Sequence, residues 1–262
     1  MKGLKKYFLK SCELTLEMTK SEIKARYKNA FLGFLWAFLN PLIQMAVIGF
    51  IFQHLIKTPI PDYFPFLFIG LLVWNFFSYS LTKTTPSIVY ARDLIHKSSF
   101  PREVIPLSII FSNFFNLLIA FFLFLIFLLI SQKFYLFSNL ISFPFLISSF
   151  LWIILLISGL SLLCSALNVK YRDINFFIQA LIIIWFYATP VIYSLNILPD
   201  EYLKIFIFNP VVYPLEMIRF SLLGTNLPSI AIFYGNLLIT LTLIISGFLI
   251  FKKENKKFSD WL

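Results

Sequence analysis

Long uninterrupted apolar runs restrict this chain to a membrane environment. Residues 116–130 read NLLIAFFLFLIFLLI and contain no charged side chain. The mean hydropathy of the sequence is +0.87 and 34 of its 262 residues are phenylalanine, which is more apolar surface than a water-soluble domain of this size can bury. A bilayer core about 30 Å thick is crossed by about 20 helical residues. Because the runs do not alternate between apolar and polar residues, they predict membrane-spanning helices rather than barrel strands.

Charged residues and prolines divide the sequence into six predicted spans. These lie at 31–56, 64–82, 104–131, 143–168, 174–195 and 229–251. A further apolar segment, 202–223, is interrupted at Pro210, Pro214, Glu216 and Arg219, so it is not counted as a simple crossing. The stretch 209–224 fits two short helices that dip into the membrane from outside, with a plain extracellular loop carrying one amphipathic helix as the alternative. The predicted fold is a single all-α domain, residues 1–262, with six spans, a re-entrant segment at 196–228 and a tail at 252–262.

Basic residues predict the orientation of the chain. Of the 22 Lys and Arg residues, all but Lys57, Lys133, Lys204 and Arg219 lie on the side of segment 1–30, loop 83–103 and the tail. Cytoplasmic loops carry the excess of Lys and Arg, so both termini and this loop are expected in the cytoplasm. The net charge of +10 is explained by anionic membrane lipid and requires no nucleic acid partner.

The N-terminal segment predicts an amphipathic helix over residues 4–20. Its charged side chains fall within about 80° of a helical wheel; they are Lys6, Lys10, Glu13, Glu17 and Lys20. The rest of the wheel is largely apolar. We expect this helix to lie along the membrane surface, with a solvated helix packed on a partner protein as the alternative.

Several classes of function lack the residues they need. The central parts of the spans contain no charged side chain, whereas proton relays and voltage sensors require them. The chain has two histidines, His54 and His96, neither central in a span, so no metal or catalytic site is expected. It contains no G-x-x-x-x-G-K-[ST] motif and cannot bind ATP by that route.

Aromatic residues are the main candidates for function inside the spans. They are Trp36, Phe38, Trp74, Trp185, Phe186, Tyr187 and Tyr193. One interpretation is lipid-facing filler, since Phe is common there and Trp and Tyr favour the interfaces. The other is an aromatic-lined path along which sugar rings move without tight hydrogen bonds. The sequence leaves both open.

Loop 83–103 concentrates polar residues between two apolar runs. Pro86 and Pro101 bracket a helix-sized piece, 87–100, in which Ile88, Leu94 and Ile95 offer apolar anchoring. Its charged face is available to a soluble partner.

Four stretches resemble one family, the membrane-spanning subunit of ABC transporters that export polysaccharides such as O-antigen, capsule and teichoic acid. They are RYKNAFLGFLWAFLNPLIQM (26–45), LIHKSSFPREVIPLS (94–108), LNVKYRDI (167–174) and NPVVYPLEMIRFSLLG (209–224). They occur in the family's order, and the resemblance extends over nearly the whole chain.

The resemblance implies a homodimer in the bacterial cytoplasmic membrane that docks two copies of a separate ATPase, which carries the ATP and magnesium. No cofactor is then expected in this chain, and the substrate is a lipid-linked polysaccharide. The ATPase-coupling loop would present Tyr90, Arg92, Asp93, Lys97, Arg102 and Glu103. The outer gate would involve Pro210, Pro214, Glu216 and Arg219. The alternatives are an exporter of drugs or small lipids, or a membrane-embedded glycan or lipid transferase using Asp93, Glu103 and Asp173.

A pyrophosphate head group on the substrate lipid would be attracted to cations at the inner face. The candidates are Arg26, Lys28, Arg92 and Arg102. Positive-inside topology alone also explains each of them.

Overall fold

The computed structural model describes residues 2–28, 32–98, 100–131 and 142–261, and throughout these ranges the regular structure is helical. The α-helices are α1 (Lys2–Tyr27), α2 (Trp36–Phe50), α3 (Tyr63–Thr84), α4 (Ser87–Tyr90), α5 (Arg92–Lys97), α6 (Val104–Ile130), α7 (Ser142–Lys170), α8 (Asp173–Ala188), α9 (Asp200–Leu203), α10 (Val212–Leu223), α11 (Ile230–Glu254) and α12 (Phe258–Trp261). The predicted all-α fold is confirmed.

Five apolar helical segments in this part of the chain are long enough to cross a membrane. They are Gly33–Leu55, Tyr63–Thr84, Val104–Ile130, Ser142–Lys170 and Ile230–Lys257, and each coincides with a predicted span. The remaining predicted span, 174–195, is represented by α8, which has only 16 residues. Pro190 ends this helix because proline has no amide N–H and disfavours helical backbone before it; Thr189 is accordingly extended, with φ −106° and ψ 138°.

Because proline breaks helices, the sequence predicts an interruption of the first span at Asn40–Pro41, and this prediction is wrong. Pro41 lies inside α2. Irregular backbone occurs at the two ends of this span instead, as a 3₁₀ turn at Gly33–Leu35 and a π-helical turn at Ile51–Leu55. Pro41 deprives the carbonyl of Ala37 of its usual i+4 donor. Both residues line a cavity described below that has several polar side chains, so this carbonyl does not face a purely apolar core.

Helix α3 is the centre of the bundle. Sixteen of its 22 residues are buried, and α2, α6, α7, α8 and α10 all pack against it. The bundle has two distinct ends. The first, which we call the basic end, brings together α1, α4, α5 and α12; the other carries the connections at 56–62, 189–211 and 224–229.

Helix α1 packs along α6 through threonines. Thr15 and Thr19 are buried, and the Thr19 hydroxyl donates to the carbonyls of Thr15 (2.7 Å) and Ser108 (3.3 Å). The threonines lie on the face of α1 opposite the predicted charged stripe. Leu16, which points between that face and the stripe, is 61% exposed. A surface helix with one charged stripe is thus present, while its contact with a membrane stays a prediction. The side chain of Lys6, and residues Phe31 and Lys133, lie outside the described part of the structure.

A lysine on the charged stripe pairs with a glutamate one turn away. Lys20 Nζ lies 2.7 Å from Glu17 Oε1 and lowers the pKa of that carboxyl. Both groups are exposed, so the pair adds little to stability.

Two glycines let α7 and α11 approach until their backbones touch. A Cβ atom on Gly159 would lie 2.7 Å from the amide nitrogen of Ile244, and one on Gly247 would collide with the Gly159 carbonyl. Small residues allow this close packing in membranes, where apolar burial alone does not hold helices together. Trp152 adds a hydrogen bond from Nε1 to Thr240 Oγ1 at 2.9 Å.

We expect Gly247→Ala to separate α7 from α11, since the added methyl group has no space. The free energy of unfolding should fall by about 1–3 kcal/mol, which is measured as a lower midpoint of thermal unfolding in detergent. Thr242→Ala, at an exposed position of the same helix, is the control and should unfold with the wild type. Equal midpoints for the two variants would contradict the glycine contact.

Candidate functional site

The segment between α8 and α11 is bent sharply on itself. Helices Glu201–Phe208 and Val212–Leu223 meet at 107°. The two short helices predicted within 209–224 are wrong in their bounds, because that stretch forms the single helix α10 and the other helix of the pair precedes it. Pro210 lies in the bend, and Pro214 lies in the first turn of α10, where an amide N–H has no helical partner to lose. We call residues 201–223 the bent segment.

Asn209 joins the bend to the end of α8. Its Nδ2 donates to the carbonyl of Ala188 and to Thr189 Oγ1, both at 3.0 Å. Its Oδ1 accepts from Trp185 Nε1 at 3.0 Å and from the amide of Val211 at 3.3 Å. One side chain therefore satisfies the polar groups left where α8 stops and α10 begins.

Asn236, on α11, holds the bend from the other side. Its Nδ2 donates to the carbonyls of Phe206 and Ile207 at 2.9 and 3.0 Å, and its Oδ1 accepts from the amide of Tyr213 at 2.9 Å. Asn236 is fully buried. Our sequence analysis missed the roles of both asparagines; the available signal was an amide inside an otherwise apolar helix, in the stretch IFYGNLLI.

Arg219 forms a buried clamp with groups from three elements. Its Nη1 donates to Glu216 Oε1 at 2.7 Å and to the carbonyl of Pro190 at 2.6 Å. Its Nη2 donates to the carbonyls of Val191 at 2.9 Å and Phe66 at 3.3 Å, and the guanidinium lies 3.4 Å from the centroid of the Phe66 ring. The Glu216–Arg219 pairing expected from their spacing is present. We call these groups the arginine clamp.

The clamp fixes α10 to α3 and to the backbone that follows α8. The guanidinium is fully buried and stabilises carbonyls beyond the C-terminus of α8, where the helix dipole is negative. Gly70 makes room for it, because a Cβ there would lie 2.7 Å from the Val191 oxygen and 2.8 Å from Arg219 Nη2. This geometry makes the bent segment a rigidly held cover at its end of the bundle.

At the basic end, the predicted coupling helix is two short helices, α4 and α5, separated at Ala91. Tyr90 is 80% exposed, and the exposed charges beside it are those of Arg92, Asp93 and Lys97. Ile88 and Ile95 are buried beneath them as expected. Leu94, also expected to be an anchor, is 42% exposed, because consecutive residues of a helix point about 100° apart, which turns Leu94 away from the side that Ile95 buries. We call the exposed side of residues 90–97 the α5 surface.

Arg102 does not belong to the α5 surface, although the sequence grouped it there. Its Nη1 donates to the carbonyl of Asn255 at 2.6 Å, and its guanidinium lies 5.9 Å from the centroid of the Phe258 ring. Phe258 is fully buried among residues of α4, α5, α7 and α11. Arg102 therefore fastens the C-terminal segment beneath α5. Glu103, the next residue, is half-buried.

Five of the seven aromatic candidates are wholly or partly buried within the chain; they are Trp74, Phe38, Trp185, Phe186 and Tyr193. Trp74 is 5% exposed and packs edge-on against Phe186, 5.5 Å away, so we assign it to the core rather than to a channel surface. Phe38 is half-buried against Phe68 at 5.4 Å. Trp185 is half-buried and held by its bond to Asn209, so it supports the bend.

The other two candidates lie at the surface. Trp36 and Tyr187 are exposed, Tyr187 by 64%. The half-buried Tyr193 donates its hydroxyl to the Tyr187 carbonyl at 3.0 Å. Of the set, Trp36 and Tyr187 are the rings that a ligand or another chain can reach.

A cavity of about 370 Å³, mostly apolar in its lining but with several polar side chains, lies between α1, α2, α3 and α6, and we call it the amide cavity. Its polar lining consists of Arg26, Tyr27, Asn40, Asn75, Tyr79, Lys83, Asn113 and Asn116. Burial raises the pKa of Tyr27, so its hydroxyl stays protonated and donates to Asn116 Oδ1 at 2.6 Å.

The four cations proposed for a lipid head group are not gathered at one site. Arg26 lines the amide cavity, whereas Arg102 lines a smaller cavity of about 220 Å³ beside α5. Lys28 and Arg92 are exposed. Lys83, which sequence analysis did not select, is the second cation of the amide cavity.

The spans, the bent segment and the polar basic end define a polytopic helical membrane protein. Residues 13–223 match the family described as ABC-2 type transporter. The chain belongs to this family.

Relatives of known name match along most of the chain. It is 30% identical over 249 residues to the O-antigen export system permease protein RfbA of Myxococcus xanthus, covering 94% of each chain. It is 30% identical over 262 residues to a protein of the same name from Klebsiella pneumoniae, covering 95% of each. The polysialic acid transport protein KpsM of Escherichia coli is 23% identical over 201 residues, 76% of each chain.

We expect Arg219→Met to cost about 3–5 kcal/mol of stability, because it leaves the Glu216 carboxylate buried without its partner. The double variant Glu216→Gln/Arg219→Met should lose less than Arg219→Met alone. Thermal unfolding in detergent measures both, and Lys204→Met, which removes an exposed cation from the bent segment, is the control. Wild-type stability of Arg219→Met would show that the clamp contributes nothing.

Proposed function

We propose that this chain is the membrane-spanning subunit of an ATP-driven exporter of lipid-linked polysaccharide. The supporting observation is similarity along nearly the full chain to proteins named as O-antigen export permeases. The exporter would be a homodimer in the bacterial cytoplasmic membrane, with a separate ATPase bound to each copy.

The energy source is a second chain. The sequence has no G-x-x-x-x-G-K-[ST] motif, so the backbone cradle that commonly holds nucleotide phosphates is lacking here. The α5 surface offers a partner exposed aromatic and charged groups on a short helix, and buried Ile88 and Ile95 hold that helix on the bundle. The basic end would face the cytoplasm, in keeping with the distribution of Lys and Arg.

Helix α8 is proposed as the main contact between the two copies. Of its 16 residues, Ile178 is the one that the protomer buries. Gln179, the next residue, is exposed in mid-helix, and a polar side chain at that depth favours a protein partner over lipid. Pairing two copies along α8 would place Tyr187 beside the path between them. The arginine clamp would then hold the bent segment across the outer end of that path as a gate.

The docking role of the α5 surface predicts the effect of Arg92→Glu/Lys97→Glu. Reversing two exposed charges should weaken binding of the partner ATPase by about tenfold or more. Co-purification from detergent measures binding, and export of surface polysaccharide in a strain lacking the permease gene measures function.

The matched control is Lys57→Glu/Lys204→Glu, with the same charge change at the opposite end of the bundle. It should keep both binding and export. Equal ATPase binding by the two double variants would reject the α5 surface as the dock. Export by the permease with no ATPase present would reject the proposed function.

The α8 contact predicts a disulfide between protomers. In a Cys12→Ser/Cys164→Ala background, Ile183→Cys or Ile184→Cys should form an oxidised dimer in membranes, because both positions are exposed on α8. Leu238→Cys, equally exposed on α11, should remain monomeric on a denaturing gel. Cross-linking through Leu238→Cys without cross-linking through α8 would place the contact elsewhere.

A further inference from the structure

The amide cavity carries positive charge that its lining does not neutralise. Arg26 and Lys83 are its cations, and none of its lining residues in the described ranges is acidic. Lys83 makes no ion pair with any residue of those ranges. Two cations facing one cavity repel each other, so the arrangement favours an anion between them.

An amide, rather than a carboxylate, orients the arginine. Arg26 Nη2 donates to Asn113 Oδ1 at 2.7 Å, and Asn113 Nδ2 donates in turn to Ser80 Oγ at 3.2 Å. A neutral acceptor fixes the guanidinium plane and leaves its full charge in place. A guanidinium has five N–H donors, so further donors remain for a ligand with several oxygen acceptors.

The other amides are also fixed at one end. Asn116 Oδ1 accepts from the Tyr27 hydroxyl, and Asn75 Nδ2 donates to Gln44 Oε1 at 3.0 Å. With its oxygen occupied, Asn116 presents its amide N–H groups, whereas Asn75 has used a donor and keeps its Oδ1 as an acceptor. The excess of donors over acceptors in the wall comes from Arg26 and Lys83 together with Asn116, and it matches a ligand group made of oxygen acceptors.

An apolar groove adjoins this cavity, since its lining residues Leu35 and Leu118 are next in sequence to Trp36 and Leu117 of the cavity. It is lined by Leu32–Leu35, the turn that leads into Trp36 of the cavity, and by Leu118, Ile119, Phe122 and Leu123 of α6. The groove has a volume of about 630 Å³ and a wholly apolar set of side chains. A charged cavity beside an apolar groove fits an amphiphile with an anionic head and a hydrocarbon tail.

We propose that the amide cavity binds the phosphate-bearing head of a lipid, with its tail in the adjoining groove. A phosphate ester supplies acceptor oxygens and negative charge, which Arg26 and Lys83 bind from two sides while Asn116 donates to the linkage. This inference rests on the proposed function for one of its two sources: the phosphate link of the exported lipid-linked sugar. The other source is a phospholipid of the surrounding membrane.

The test measures binding to the homodimer alone, in phosphatidylcholine nanodiscs without ATPase. The probe is a radiolabelled polyprenyl diphosphate, and its binding is followed by scintillation proximity. Arg26→Gln and Lys83→Gln should each weaken binding about tenfold, since each removes one charged donor. Lys24→Gln removes an exposed cation of α1 that does not line the cavity and should bind as the wild type.

Arg26→Lys is the control for a folding defect in Arg26→Gln. It keeps the charge and should therefore retain most of the affinity. Competition with phosphatidylglycerol identifies the source: a weak competitor indicates the diphosphate lipid, and an equal competitor indicates a membrane phospholipid in the same cavity. Wild-type affinity in both glutamine variants would overturn the proposal. Intact binding with no ATP-driven export would instead count against the proposed function.

Discussion

Backbone polar groups at membrane depth must find partners inside the protein, and this requirement shapes the end of the bundle that carries the bent segment. The chain stops α8 at Ala188 and turns sharply before α10, which frees amides and carbonyls that water cannot reach in a bilayer. Asn209, Asn236 and Arg219 satisfy them with side-chain bonds from three different helices or turns. The bent segment is stable because these side chains supply the hydrogen bonds that its backbone lacks.

Two prolines show where sequence reasoning was sufficient and where it was not. Five of the six predicted spans follow from local hydropathy, whereas the remaining one, 174–195, is shortened to α8 by the helix end before Pro190. Pro190 and Pro41 have the same local chemistry, yet Pro190 ends a helix and Pro41 does not. The difference is tertiary: Arg219 binds the carbonyls of 190 and 191 in their extended form, whereas Pro41 borders a cavity with several polar side chains. Contacts across such sequence separations have no local signature.

In the candidate site, too, local features were predictable from the sequence and tertiary contacts were not. The spacing of Glu216 and Arg219 predicted their pairing, and loop charge predicted the exposed α5 surface. The fastening of Arg102 to the C-terminal segment was not predictable, because the charge pattern of a loop does not reveal which cation folds back. Sequence analysis did not select Lys83, because positive-inside topology already explains a lysine just beyond the end of a span. Only its position opposite Arg26 gives it a ligand-binding role.

Helix α3 connects the two ends of the molecule. Phe66 and Gly70 contact the arginine clamp, while Asn75, Tyr79 and Lys83 line the amide cavity. From residue 66 to residue 83 is about 26 Å along a straight helix, and most of that length is enclosed by neighbouring helices. A packed helix moves as a unit rather than bending locally. An axial shift of α3 at the cavity therefore changes the distance between Phe66 and Arg219 at the clamp. The buried ion pair between Glu216 and Arg219 therefore contributes more to fixing where α10 lies than to stability.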